Sequence, residues 1–111
     1  MNELTYHLST IEQVEKMILI KIIGVMECLE KELIVMEEAE KILFSPYSME
    51  FLKKKGINKE IIEIIHLGTE LEDVESLIPE KLSCSFKEIR IQCENLLKRR
   101  KDILINENTL I

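Results

Sequence analysis

Aromatic and turn-forming residues are scarce in this sequence. Phe and Tyr supply 5% of the 111 residues and Trp is absent, so the core must be built from aliphatic side chains. Three Gly and two Pro residues are too few turn signals for a sheet of many strands. No segment sustains a two-residue alternation of apolar and polar side chains, so we place no strand. The sequence predicts an all-α protein.

Cysteine and long apolar runs are also scarce. Cys28, Cys84 and Cys93 are odd in number and form no C-x-x-C pair, which argues against a disulfide framework or a zinc site and predicts buried, reduced thiols. The first residues do not resemble a signal peptide. The longest apolar run is interrupted by Lys21 and is about half the length that spans a bilayer. We therefore expect a cytoplasmic protein without membrane association.

The length and composition are those of one globular domain. The 111 residues are 46% hydrophobic and 32% charged, which is not the composition of a disordered chain. We expect a single helical domain spanning residues 1–111, with frayed ends at 1–8 and 106–111.

The segment Met17–Met26 (MILIKIIGVM) is the most apolar stretch of the chain. It lies within a predicted helix over about residues 10–31, whose main apolar stripe includes Ile18 and Ile22. Further apolar residues fall on the far side, so the helix is predicted to be buried on all sides. Gly24 would cost roughly 1 kcal/mol against Ala in mid-helix, and we expect it to allow the close approach of a crossing helix.

Capping signals divide the rest of the chain into short helices. Capping boxes at Ser9 or Thr10, at Thr69 and at Ser85 predict the starts of the first, fifth and last helices. Ser45-Pro46 and Asn58 predict two further starts, and Gly56 predicts a left-handed helix end. We predict an irregular or orthogonal bundle of about six helices wrapped around the buried first helix, with a long amphipathic last helix over about residues 85–104.

The acidic residues are concentrated in the middle of the chain. The net charge is −6, and residues 27–80 contain 14 acidic and 6 basic side chains, which argues against nucleic acid as the main partner. Glu70, Glu72, Asp73 and Glu75 lie within six residues. They form either a complement to the dipole of a helix start or a partner-binding face. On the second interpretation, the partner is a basic protein.

The last helix has two residues that do not fit its amphipathic pattern. Arg100 falls within the apolar stripe and Ile91 falls on the polar face. One interpretation is a homodimer in which Ile91 and Arg100 contact the second subunit, where Arg100 would meet an acidic residue. The alternative is that the stripe simply packs on the first helix.

One pair of residues has the spacing of a metal site. Glu63 and His66 form the E-x-x-H pattern of di-iron bundles, but such bundles need this pattern twice and further glutamates. A histidine stabilised by the dipole at a helix end is the simpler interpretation. The sequence has no phosphate-binding loop and no G-x-S-x-G motif. We therefore predict a non-enzymatic protein with no catalytic residues, no metal and no cofactor.

Two acid-rich segments resemble known small helical proteins. At Glu37–Ser45 (EEAEKILFS) and Leu67–Leu77 (LGTELEDVESL) the chain resembles small all-helical bacterial proteins of unknown function. It is also similar to the acidic helical immunity proteins that are encoded beside secreted toxins. The resemblance implies a partner-binding role without catalysis, and it transfers no individual contact residues.

Overall fold

The computed structural model describes residues 3–106, with side chains from residue 11 onward. The chain forms α1 (Glu3–Glu30), α2 (Met36–Ile42), α3 (Pro46–Lys54), α4 (Lys59–Thr69), α5 (Leu71–Leu77) and α6 (Leu82–Lys98), with a 3₁₀ turn at Pro79–Lys81. Residues 3–106 contain no strand, so the all-α prediction is confirmed.

The predicted count of about six helices is not confirmed. Four helices have nine residues or more, whereas α2 and α5 are two-turn segments of seven residues each. Fraying was predicted at 1–8 and 106–111. Residues 3–8 instead belong to α1, whereas 1–2 and 107–111 lie outside the described residues.

Local capping signals located some helix ends correctly and others wrongly. The Ser45 side chain accepts a hydrogen bond from the Ser48 backbone N–H (3.1 Å), and that of Asn58 accepts one from Glu60 N–H (2.7 Å). Gly56 has the predicted positive φ of 84°. The capping boxes at Ser9 and Ser85, however, were wrong, because both residues lie inside helices. Thr69 is the last residue of α4, so the predicted start of the fifth helix is one residue before the observed N-cap, Glu70.

The predicted bounds of the first and last helices were also wrong. α1 begins at Glu3 rather than near residue 10, and α6 spans Leu82–Lys98 rather than about 85–104. The 3₁₀ turn that begins at Pro79 leads directly into α6, so the helix starts before the Ser85 signal.

One side of α1 forms the centre of the core. Ile18, Leu19, Ile22 and Met26 are fully buried, whereas Ile20 is 46% exposed. The prediction that the chain wraps the whole helix was therefore wrong: within the described residues α1 is covered along one side. Gly24 faces open space, with no atom within 4 Å of a Cβ built on it, so the expected crossing helix is not supplied by this part of the chain.

α6 packs antiparallel along α1. Near the end of α1, Arg90 forms ion pairs with Glu27 and Glu30. At the middle of α1, the Lys16 ammonium donates to the carbonyl oxygens of Ile103 (2.7 Å) and Lys101 (3.4 Å). These contacts join α6 and the segment after it to the second half of α1.

The close approach of a glycine occurs at Gly68 rather than at Gly24. Gly68 lies buried in the last turn of α4, which ends at Thr69. The Phe44 ring occupies the space beside it, with Cδ1 only 2.0 Å from where a Cβ would stand. Gly68 therefore lets the ring of Phe44, 2% exposed, pack against the backbone of α4.

The three cysteines are reduced thiols in different surroundings. Cys93 is buried, Cys28 is half-buried and Cys84 is exposed, so the prediction of buried thiols holds only in part. Burial raises the pKa of the Cys93 thiol to about 12, with a smaller contribution from the Glu94 charge. Cys93 thus behaves as a core residue and not as a nucleophile.

None of the helices within residues 3–106 combines the length and the apolar character needed to cross a lipid bilayer.

Candidate partner-binding surface

The helix α5 presents most of the acidic residues that the sequence singled out. Leu71, 1% exposed, fixes the start of α5 in the core. Glu72 and Asp73 lie in the first turn, where carboxylates favour the helix dipole. Glu70, Glu72, Asp73 and Glu75 are all exposed.

Two of these carboxylates border an apolar groove. We define the α5 groove as Glu70, Asp73, Val74, Leu77 and Ile78, which line one shallow depression. Leu77 is 78% exposed and Ile78 is 39% exposed. Ile78 is the C-cap of α5, directly before Pro79. The groove thus offers apolar surface beside two negative charges.

Glu70 is held in place by the preceding helix. His66 Nε2 lies 3.0 Å from Glu70 Oε1, and the Thr69 hydroxyl donates to the His66 carbonyl oxygen (2.6 Å). Glu70 is the only residue between α4 and α5, so i,i+4 geometry continues across the junction despite Gly68. This arrangement positions Glu70 at the edge of the groove.

Glu72 lies outside the groove and faces a second carboxylate. Its side chain is a hydrogen-bonding neighbour of Glu40 on α2. That contact, followed by the repulsion of the Glu72 charge, raises the pKa of Glu40. Two carboxyl groups from different helices thus lie close together, and neither forms an ion pair with a basic side chain of residues 11–106. Glu75, the remaining predicted residue, is exposed but is not part of the groove.

Several acidic residues of α1 and α4 are ion-paired within the chain. Glu27 and Glu30 pair with Arg90, and Glu60 pairs with Arg99 at 3.7 Å. In contrast, Glu72, Asp73 and Glu75 form no ion pair with any described basic residue. The helix α5 therefore carries three exposed carboxylates that no described cation pairs with.

The predicted dimer contacts are separated by the structure. Ile91 is 45% exposed on α6. Arg100 instead points inward, where its guanidinium lies 3.5 Å from the buried carboxylate of Glu15 and donates to the Leu96 carbonyl oxygen. Because Arg100 has a partner in its own chain, it no longer argues for a dimer.

Glu63 and His66, the pair with the spacing of a metal site, are not joined by further metal ligands within residues 3–106. Glu63 lines a polar cleft between α4 and α6 with Glu60 and Arg99, whereas His66 contacts Glu70. Among residues 3–106 no group of three or more His, Cys, Asp or Glu side chains is placed to hold a metal ion. The region around Glu63 and His66 is therefore a charged surface.

Comparison with known proteins gives one match. The model of the protein family of unknown function DUF3969 matches residues 9–111. The chain belongs to the DUF3969 family. No curated protein and no solved structure matches it. The expectation of a small helical protein of unknown function is thus confirmed, and the similarity to immunity proteins is not.

Sequence reasoning missed Leu77 and Glu40 as parts of this surface. The exposure of Leu77 could have been predicted from the sequence, because Leu77 does not lie on the apolar stripe that Leu71 and Val74 form on the same helix. Glu40 had none, because its neighbour Glu72 is distant in the sequence and only the packing of α2 near α5 brings them together.

Proposed function

We propose that this protein acts by binding another protein through the α5 groove, without catalysis. The partner presents a basic side chain beside an apolar one. The observation that carries the proposal is the 78% exposure of Leu77 in a groove that the Glu70 and Asp73 carboxylates also line. Attraction between these carboxylates and the basic partner makes association faster and more specific. Burial of Leu77 and Ile78 adds to the affinity of the complex.

The pair Glu40–Glu72 supports the same proposal. In the free protein, proximity to Glu72 opposes the ionisation of Glu40. A lysine or arginine placed between them would remove this repulsion, so the free energy of binding would include relief of an unfavourable interaction. The dipole of α5 accounts for the location of Glu72 and Asp73, but not for Glu75 or the exposed Leu77. Neutralising a basic toxin, as an immunity protein does, is one form that this binding would take.

Charge reversal on α5 tests the proposal. Asp73→Lys with Glu75→Lys should leave the circular dichroism spectrum unchanged, yet abolish capture of the protein that the wild type retains from its native cell. The matched control is Glu12→Lys with Glu50→Lys, which changes the net charge equally at exposed positions outside α5. This control should still capture the same protein.

The kinetics of that complex give a second measurement. Association with the wild type should slow steeply as salt is raised, because surface charges are screened over about 8 Å at physiological ionic strength. Equal association rates of the wild type and the α5 double variant at low salt would remove this surface from the binding site.

A further inference from the structure

The side of α1 opposite the core carries a strip of apolar and small residues that the described residues leave partly exposed. We define the outer strip as Met17, Ile20, Gly24 and Cys28, spaced by three, four and four residues along α1. Ile20 is 46% exposed, Gly24 is exposed, and Met17 and Cys28 are half-buried. A helix with apolar residues on all sides is typical of full burial, whereas the described part of this chain buries only one side.

Gly24 is the least expected residue of this strip. A glycine within a helix lowers helix stability relative to alanine. At Gly68 the fold uses the missing side chain to admit Phe44, but at Gly24 nothing lies within 4 Å of the Cβ position. The described residues therefore give Gly24 no internal packing role. A close helix crossing from outside the chain would give it one.

We propose that the occupant is a second copy of this chain, with the two α1 helices crossing antiparallel at Gly24. The argument for a second copy is charge complementarity under two-fold symmetry. Lys21 lies three residues before Gly24 and Glu27 lies three residues after it. A two-fold axis at Gly24 therefore places Lys21 of each copy beside Glu27 of the other.

Both side chains are available for this pairing. Lys21 is half-buried and forms no ion pair within residues 11–106. The Glu27 side chain is 47% exposed beside Lys31 and Arg90, so it retains room for a third cation. The two-fold arrangement thus adds two ion pairs without removing those of the monomer.

A groove next to the strip extends the contact area. Ile20 of α1 and Leu97 of α6 lie along it, and its rim carries Lys16, Glu94, Lys98 and Lys101. Stable dimers bury about 800 Å² on each subunit, which is more than the strip alone provides. The charged residues of this rim are three lysines and one glutamate, whereas those of the α5 groove are acidic alone. The sequence suggested a homodimer that forms through the last helix. In the present proposal the dimer interface lies mainly on α1, and α6 contributes to its border.

Sedimentation from about 1 μM to about 1 mM tests the dimer. The wild type should pass from monomer to dimer as its concentration rises. Ile20→Asp and Gly24→Gln should each raise the dissociation constant at least about tenfold, the first by charging the strip and the second by filling the crossing point. Both residues are exposed, so each variant should keep the circular dichroism spectrum of the wild type.

A control and a charge swap make the test specific. Leu77→Asp places the same charge on an equally apolar exposed site of α5 and should leave the dissociation constant unchanged. Lys21→Glu should weaken the dimer, and Lys21→Glu combined with Glu27→Lys should restore it. Because the outer strip is separate from the α5 groove, Ile20→Asp should not affect capture of the protein partner. A wild type that stays monomeric at about 1 mM, or a dimer insensitive to Ile20→Asp, would overturn the proposal.

Discussion

At the scale of single residues, two charged side chains and two glycines have roles that their sequence neighbours do not indicate. Arg100 interrupts an apolar stripe because it reaches the buried Glu15, whose second oxygen accepts a hydrogen bond from the Asn58 backbone N–H at 2.6 Å. The pair thus joins α1, the start of α4 and the end of α6. Removal of either charge would leave the other poorly solvated, which is the costly case for buried ion pairs.

Gly68→Ala should destabilise the protein, because the new methyl group would overlap the buried ring of Phe44. We expect the free energy of unfolding to fall by about 1–3 kcal/mol, the usual cost of overpacking. Gly24→Ala is the matched control, since it makes the same change in an open position of a helix. At concentrations low enough for a monomer it should raise the free energy of unfolding by up to about 1 kcal/mol. Denaturant titration measures both, and a Gly68→Ala protein as stable as the wild type would contradict the packing argument.

At the scale of elements, α1 organises the fold through one face. Its buried side contacts α2, α4 and α6, so the rest of the described structure is built on it. The segment following α6 is joined to the same helix, where the Gln13 side chain amide donates to the Leu104 carbonyl oxygen at 3.0 Å. α1 therefore supports both the core and the C-terminal part of the chain.

Ile22→Ala should measure how far the fold depends on α1. Ile22 is fully buried, so its truncation leaves a cavity in the core and should lower the free energy of unfolding by roughly 2–5 kcal/mol. Ile20→Ala is the control on the same helix: Ile20 is 46% exposed, and in the monomer its truncation should change stability by no more than about 0.5 kcal/mol. If thermal melting finds both variants equally stable, α1 is not the centre of the core.

At the scale of the whole molecule, the distribution of charge is uneven. The chain has a net charge of −6; Lys31 and Arg90 pair with Glu27 and Glu30 of α1 and Arg99 pairs with Glu60 of α4, whereas Glu72, Asp73 and Glu75 of α5 form no ion pair with the described residues. A concentrated negative field attracts basic partners over long range and is sensitive to salt.

The pH dependence of stability should reflect this difference. Glu72 raises the pKa of Glu40 in the folded protein, so ionisation of Glu40 opposes folding, and this penalty disappears as pH falls from neutral through that raised pKa. Glu40→Gln should therefore stabilise the protein at pH 7, with a gain that vanishes once glutamates are protonated. Melting temperatures of wild type and variant across the acidic range give the measurement.

Glu27 provides a control in which the effect of ionisation on stability has the opposite sign. Hydrogen bonding and attraction to Lys31 lower the pKa of Glu27, so its ionised form favours folding and that contribution is lost as pH falls through the lowered pKa. Glu27→Gln should destabilise the protein at pH 7 and converge with the wild type in acid. If Glu40→Gln also destabilises at pH 7, the two carboxyl groups do not oppose each other in solution.

The sequence by itself determined the features that depend on neighbouring residues. Ser45-Pro46, Gly56 and Asn58 located helix ends correctly because a cap satisfies backbone groups within a few residues, and the apolar stripe through Ile22 identified the buried side of α1. The exposed acidic residues of α5 were likewise visible in the sequence.

Only the tertiary structure decided which surfaces meet. It placed Phe44 against Gly68, Arg100 beside Glu15 and Glu40 beside Glu72, and it left Gly24 and Leu77 uncovered. The capping box at Ser85 failed because the helix already begins at Leu82, directly after the turn at Pro79–Lys81. Local patterns specify what a segment can form, while contacts between distant residues select among those forms.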